Sequence, residues 1–239
     1  MPNLLSKFHR PKAVAWFFFI LAFGTCMVAG GWQVKRLQWK EALIAQIAQA
    51  NAIDPIRTLP REPEALAALQ FHTITLTGTW RPTAEFHIAP RYWRDKFGYA
   101  IVTPFKLTDG RTLLVNRGWV PAAKKLPETR PETRVRGMAT ITGLVRVGAE
   151  RSYFTPVSQP EKNIWFGRDV ADMAASAKLS NVVPAMVDLV GTQDVNRLPI
   201  PSDGTIRLRN DHLSYVITWW GIALGILVIF VLYHRKNPR

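Results

Sequence analysis

Five histidines, one cysteine and 17 acidic residues are the chain's stock of groups able to bind a metal or move a proton, and their spacing decides which could act. Cys26 stands alone, which rules out an intramolecular disulfide, a thiol exchange pair and a paired-thiolate copper site. His72 and His87 fall in separate alternating stretches with no carboxylate at ligand spacing and read as core or surface strand residues. Asp95 and Asp109 lie in turns, with nothing to mark them as an acid and base pair. No Gly-rich phosphate loop, nucleophile elbow or His-x-x-x-His pair occurs, so the sequence does not describe an enzyme. His212 differs. In Asn210-Asp211-His212-Leu213-Ser214-Tyr215 it stands just before a charge-free run, and spacings of three and seven stack His212, Tyr215 and Trp219 on one helical face at the water boundary. A neutral imidazole there offers a ring nitrogen to a metal. The same position also suits a boundary histidine satisfied by headgroups, water or a carbonyl.

His212 opens one of two apolar helices. Leu213 to Tyr233 holds 21 residues without charge, enough at about 1.5 Å per residue to cross a hydrocarbon core of about 30 Å. Asn210 or Asp211 can cap its first turn. Ala13 to Val34 holds another 22 uncharged residues between Lys7, Arg10, Lys12 and Lys35, Arg36. It reads as a second span; Val28-Ala29-Gly30-Gly31 leaves a cleaved signal peptide as the alternative. Residues 1–12 and 234–239 hold six of the 31 basic residues and none of the 17 acids, which places both tails in the cytoplasm and residues 35–212 across the membrane. A first tail of 12 residues is too short for a mitochondrial presequence, so a bacterial inner membrane and a periplasmic central domain are expected. That location removes nucleic acid as a partner for the basic central segment. Lipid headgroups, an acidic protein surface or ligand carboxylates remain.

From Trp32 the helical pattern continues through Leu37, Trp39, Leu43, Ile44 and Ile47 to Asp54-Pro55, with the two tryptophans suited to the interface. Glu62 to Leu69 predicts a short amphipathic helix. From Phe71 the period changes to two: Phe71 to Trp80, Glu85 to Pro90, Tyr99 to Leu107, Thr112 to Asn116, Val135 to Val147 and Pro184 to Val190 predict antiparallel strands, with Thr108 to Arg111 as a hairpin turn. Gly78 reads as a bulge or close backbone approach, and Pro104 as a bend or edge position. Ala122 to Arg134 reads as an exposed loop, and Asp169 to Leu179 as a short helix capped by Asp169. The fold expected is a membrane α+β one. Transmembrane helices at 13–34 and 213–233 bracket a mainly antiparallel periplasmic β domain, 35–212, that is barrel-like or a curved sheet with short helices. Small-residue stripes, Ala22, Cys26 and Gly30 in the first helix and Gly221 and Gly225 in the second, predict close helix packing.

Several runs carry a family resemblance: Gly31-Trp32-Gln33-Val34-Lys35-Arg36-Leu37-Gln38-Trp39-Lys40, Gly98-Tyr99, Thr103-Pro104-Phe105, Val115-Asn116-Arg117-Gly118-Trp119-Val120-Pro121 and Asn210 to Tyr215. In this order, between two bracketing helices, they resemble the Surfeit locus protein 1 family over essentially the whole chain. The resemblance implies an assembly factor for haem-copper oxidases of the cytochrome c oxidase type. For bacterial members it implies haem a bound as cargo near the second helix, with oxidase subunit I and haem a synthase as partners. It carries over His212, as the haem iron ligand, and Tyr215; Trp219 on the same helical face and Arg209 and Arg36 near the membrane mouth complete the expected cofactor-binding set, the arginines facing propionates or, equally, lipid phosphates. Gly78 and Gly118 carry over as backbone requirements, Asn116 and Arg117 as turn-ordering or partner-binding groups, and Trp119 as part of the same motif. A doubled Trp219-Trp220 departs from the family pattern. The rival expectation is a scaffold that stabilises nascent subunit I without touching haem.

Overall fold

The computed structural model describes residues 11–235 apart from 52, 83, 149–154, 195, 207 and 209. In chain order the first elements are α1 (Ala13–Asn51), α2 (Pro63–Ala68), β1 (Thr73–Trp80), β2 (Phe86–Trp93), β3 (Lys96–Leu107) and β4 (Thr112–Pro121). β5 (Met138–Val147), β6 (Ile164–Trp165), α3 (Val170–Ser176), β7 (Val182–Leu189) and α4 (His212–His234) follow. The chain forms two compact units, one helical, up to Gln46 and after Ile206, the other β-rich, Ile47–Ile206.

In the helical unit α1 and α4 are each long and apolar enough to cross a membrane, and two such helices flanking a β domain are consistent with a membrane α+β protein. The helices run antiparallel: the Phe19 and Phe230 rings stack at 4.3 Å, and Gln33 meets His212. Their seam is narrow. On α1 the packed positions are Phe19, Phe23, Cys26, Gly30 and Gln33, alternating steps of four and three, and on α4 they include Val216 and Ala223. The stripe therefore departs from the expected one. Ala22 is exposed, and Gly221 and Gly225 face open space, while a Cβ at Gly30 would overlap the indole of Trp220. Only Gly30 acts as a close-packing glycine on the seam, because it alone among these glycines lies where a bulky ring crosses. Asp211 occupies the N-cap position of α4 but makes no side-chain cap hydrogen bond.

The β-rich unit is one sheet of order β1-β5-β7-β4-β3-β2-β6, with β1 also paired to β3. That extra pairing closes β1, β5, β7, β4 and β3 into a five-stranded ring and leaves β2 and β6 as a flap on β3. β3 can serve two neighbours because it is 12 residues long: Ala100–Val102 pair with β2, Phe105–Leu107 with β1. Pro104 sits at the changeover, where one edge of β3 passes from one neighbour to the other and a missing N–H costs no ladder bond. Most pairings are antiparallel as expected, but β4 with β7 and β2 with β6 are parallel.

Alternation sorts the core into two layers. Leu76, Phe105, Leu113, Val115, Ile141, Val145 and Val187 pack in one cluster with Leu59 and Leu66. Leu114 and Met186, which alternate with them, pack in another with Phe86, Ile88, Val102, Trp165 and Met173 of α3. Burial on both faces explains why β4 and β7 carry consecutive apolar residues, Leu113-Leu114-Val115 and Ala185-Met186-Val187, where a period of two was expected. The Ala122 to Arg134 segment is not simply an exposed loop: it folds into three 3-10 turns around Arg130, which is 1% exposed. Asp169 stands at the N-cap of α3, yet its Oδ2 accepts from Ser158 Oγ and no cap bond to the helix forms.

Candidate functional site

In the helical unit the site is built on one hydrogen bond. His212, at the first residue of α4, places Nδ1 2.7 Å from Oε1 of Gln33, a buried residue two turns past Cys26 on the α1 seam. A donor Nδ1–H to the amide oxygen fixes the imidazole tautomer and leaves the Nε2 lone pair to an outside partner. No group of three or more His, Cys, Asp or Glu side chains able to hold a metal occurs among the described residues. A bare ion requires three or four donors, whereas a metal already held in a macrocycle requires only an axial ligand. One imidazole with an ordered outer partner fits the second case.

The other residues expected around His212 are placed as follows. Tyr215 is exposed, one turn along α4, and Trp219 is half-buried, while the indole at the crossing belongs to Trp220. Arg36 lies 4.6 Å over the Trp39 ring and 5.9 Å from that of Trp32, held on its own helix by cation-π contact. Arg209 lies outside the described residues. Gln33 was not singled out by the sequence; its signal was a lone amide inside an otherwise apolar run.

In the β-rich unit the Asn116-Arg117-Gly118-Trp119 motif forms a β-bulge. Ile101 pairs with Gly118 and Val102 with Asn116, so Arg117 is the extra residue. Gly118 has φ +124° and its missing Cβ is filled by the Ile200 carbonyl. Trp119 exchanges two backbone hydrogen bonds of 2.8 Å with Ile200, and its Nε1 donates to Arg91 O at 3.2 Å. Asn116 spans the bulge, accepting from Gly118 N at 3.1 Å and donating to Asp188 Oδ1 at 2.8 Å. Gly78 sits where β1 pairs with β5 and β3 together, and a Cβ there would overlap Lys106 O and lie 2.7 Å from Phe105 Cε1. It is a close approach and not a bulge.

Charges in this unit are grouped. His87 has a carboxylate partner that its i−2 spacing hid: Nε2 lies 2.9 Å from Glu85 Oε1, which also accepts from Arg130. Burial raises the Glu85 pKa, but the hydrogen bonds from His87 and Arg130 outweigh it and hold the carboxyl below its ordinary value. Asp188 receives Arg168 at 2.8 Å and Arg146 at 3.4 Å. Burial, then the neighbouring Arg168 charge, lowers the pKa of Arg146 and of Arg91. Asp109 is also more than a solvated turn residue: it orients Arg111, whose guanidinium donates to the carbonyls of Leu59 and Pro60.

Residues 20–224 match the model of the SURF1 family. The chain is 33% identical to Surfeit locus protein 1 of Mus musculus over 98% of its length and 80% of that protein's. It is 34% identical to the Homo sapiens protein of the same name, covering 92% of this chain and 76% of that one. A SURF1-like protein of Drosophila melanogaster is 33% identical over 100% of this chain and 83% of its own.

Proposed function

The chain belongs to the SURF1 family, a family linked to cytochrome c oxidase assembly, and from that premise we propose that it is an oxidase assembly factor whose cargo is haem a, held by His212 and passed to oxidase subunit I. The observation that carries the reading is the 2.7 Å bond from His212 Nδ1 to Gln33 Oε1, which presents Nε2 as a ready ligand at the end of a helix pair. Haem carries its iron already ligated, so the single imidazole of His212 in an apolar surround would suffice to hold it. Haem a synthase is the donor that this reading requires and subunit I the acceptor. Tyr215 and Trp219 supply aromatic surface beside the ligand, and Arg36 and Arg209 the propionate contacts. The chain performs no bond chemistry; SURF1 proteins are an assembly-factor family and not a known enzyme family.

The same proposal places both tails in the cytoplasm and the β-rich unit in the periplasm of a bacterial inner membrane, supported by the acid-free basic tails. Two experiments test it. Protein purified from cells that also make haem a should carry a Soret band that His212→Ala abolishes or shifts while insertion and folding persist. A haem-free wild type would favour the scaffold reading, and an unchanged spectrum in the variant would exclude His212 as the ligand. A phosphatase fused after Thr192, in the exposed segment beyond β7, should be active and one fused after Arg239 inactive; the reverse pattern would overturn the orientation.

A further inference from the structure

A second site lies wholly inside the β-rich unit. Between β3, the bulge of β4 and the turns before β5 there is a cavity of about 210 Å³, lined by Glu85, Thr103, Arg117, Arg130, Arg134 and Arg136. Four guanidiniums meet one carboxylate there. Glu85 is committed to Arg130 and His87. Arg130 is itself spent on structure: it donates to Glu85, to the Lys124 and Lys125 carbonyls and to Thr133 Oγ1. The two acids of the same loop, Glu128 and Glu132, are exposed and outside the lining.

Arg117 is the residue left over. Aimed inward by the bulge, it is 7% exposed, lies 5.8 Å from the Trp80 ring, and has one hydrogen bond, to Thr133 O, out of a guanidinium's five donors. No ion pair joins it to any described carboxylate. Burial depresses its pKa to about 10, the mark of a charge removed from water without full compensation. Thr103, 1% exposed on the facing strand, has an Oγ1 with no hydrogen-bond partner. A buried guanidinium with unused donors and a buried hydroxyl in one void are what an anion's oxygens would satisfy.

We propose that this cavity binds a small oxyanion, a phosphoryl or carboxylate group held by Arg117 and the Thr103 hydroxyl, with Arg134 and Arg136 at the rim drawing it in. The volume supports that size. At about 30 Å³ per water it would hold several waters or one phosphate or short dicarboxylate, and it is too small for a haem macrocycle. The site is therefore independent of His212 and of the cargo reading.

The test uses the full chain in detergent micelles, titrated calorimetrically with inorganic phosphate and separately with succinate at an ionic strength held constant with chloride. Saturable binding of at least one probe is expected, and which one binds identifies the phosphoryl or the carboxylate form. Thr103→Val, close to isosteric, should weaken it about 5–10-fold, the loss of one hydrogen bond. Arg117→Lys should weaken it about tenfold or more, because a point charge replaces a fork. Arg134→Gln with Arg136→Gln should lower affinity a few-fold and, in titrations repeated at a second fixed ionic strength, flatten its salt dependence. Should Arg117→Lys fail to fold, Thr103→Val decides alone. Absence of saturable binding of either probe, or binding that Thr103→Val leaves unchanged, overturns the proposal and assigns the cavity to water.

Discussion

Gln33 and His212, 179 residues apart in the chain, meet at 2.7 Å across a pair of antiparallel apolar helices. An amide is costly in such a place unless it has a partner, and it fixes which nitrogen of the imidazole is left to bind. Gln33→Leu keeps the volume and removes the acceptor. With haem as the proposed cargo, the expected result is retention about 10–100-fold weaker, the usual loss when an outer partner of a metal-bound histidine is removed, with the visible bands shifted and the protein level unchanged. Absorbance during stepwise dilution reads this out. Retention equal to wild type would mean that Gln33 only packs.

Gly30 lets the Trp220 indole cross the seam. Gly30→Leu should lower the melting temperature of the full chain in micelles, and Trp220→Ala should do so by opening a gap. The pair should not add, since the new side chain fills space that the indole leaves, with a coupling energy of about 0.5–3 kcal/mol. Strict additivity would place the two residues out of contact.

At Gly78 the ring closes, and the space a Cβ would take is filled by Lys106 O and the Phe105 ring. Gly78→Ala should destabilise the β-rich unit by about 1–3 kcal/mol through overpacking. Gly78→Glu should cost more, because a longer, charged side chain is added at a buried position where even a Cβ overlaps. Denaturant unfolding followed by tryptophan fluorescence measures both. A Glu variant with the wild-type midpoint would remove the closure argument.

Glu85 gives the β-rich unit an acid limit. Its folded pKa lies below the ordinary 4.5, so the unfolded chain takes up the proton first. The carboxylate's stabilisation is complete above about pH 4.5 and is lost as pH falls through the folded value. Wild-type melting temperature should drop in that window. In Glu85→Gln, which lacks the ion pair at every pH, the curve should start lower and fall less steeply; parallel curves would put the acid sensitivity elsewhere.

The two apolar helices, the Thr108–Arg111 hairpin and most strand positions were legible because each depends on residues close together in the chain. The parallel partner of β4 was not, since Asn116 and Asp188 meet across 72 residues and the alternation of a strand is the same whichever neighbour it finds. Gly78 pointed to a bulge or a close approach, but not to a residue flanked by β5 on one edge and β3 on the other. His212 stood out by its place at a helix start. Gln33 did not, because an isolated amide in an apolar run carries no sign of its partner. Trp219 and Trp220 are adjacent, and a helical wheel alone cannot say which faces the crossing. Arg130 was hidden by its Lys, Pro and Glu neighbours, whose composition is that of a solvated loop.

The position of β7 between β4 and β5 governs the order in which the β-rich unit can be completed during synthesis. Both of its neighbours precede it in the chain, so a growing polypeptide that has not reached Val182 carries two unpaired strand edges, each able to recruit another chain. The strand that seals them is the last before α4. Truncation ahead of Val182 therefore removes α4 and also leaves an aggregation-prone open sheet, whereas a stop after Leu189, though it too removes α4, leaves every strand of the ring with its neighbours.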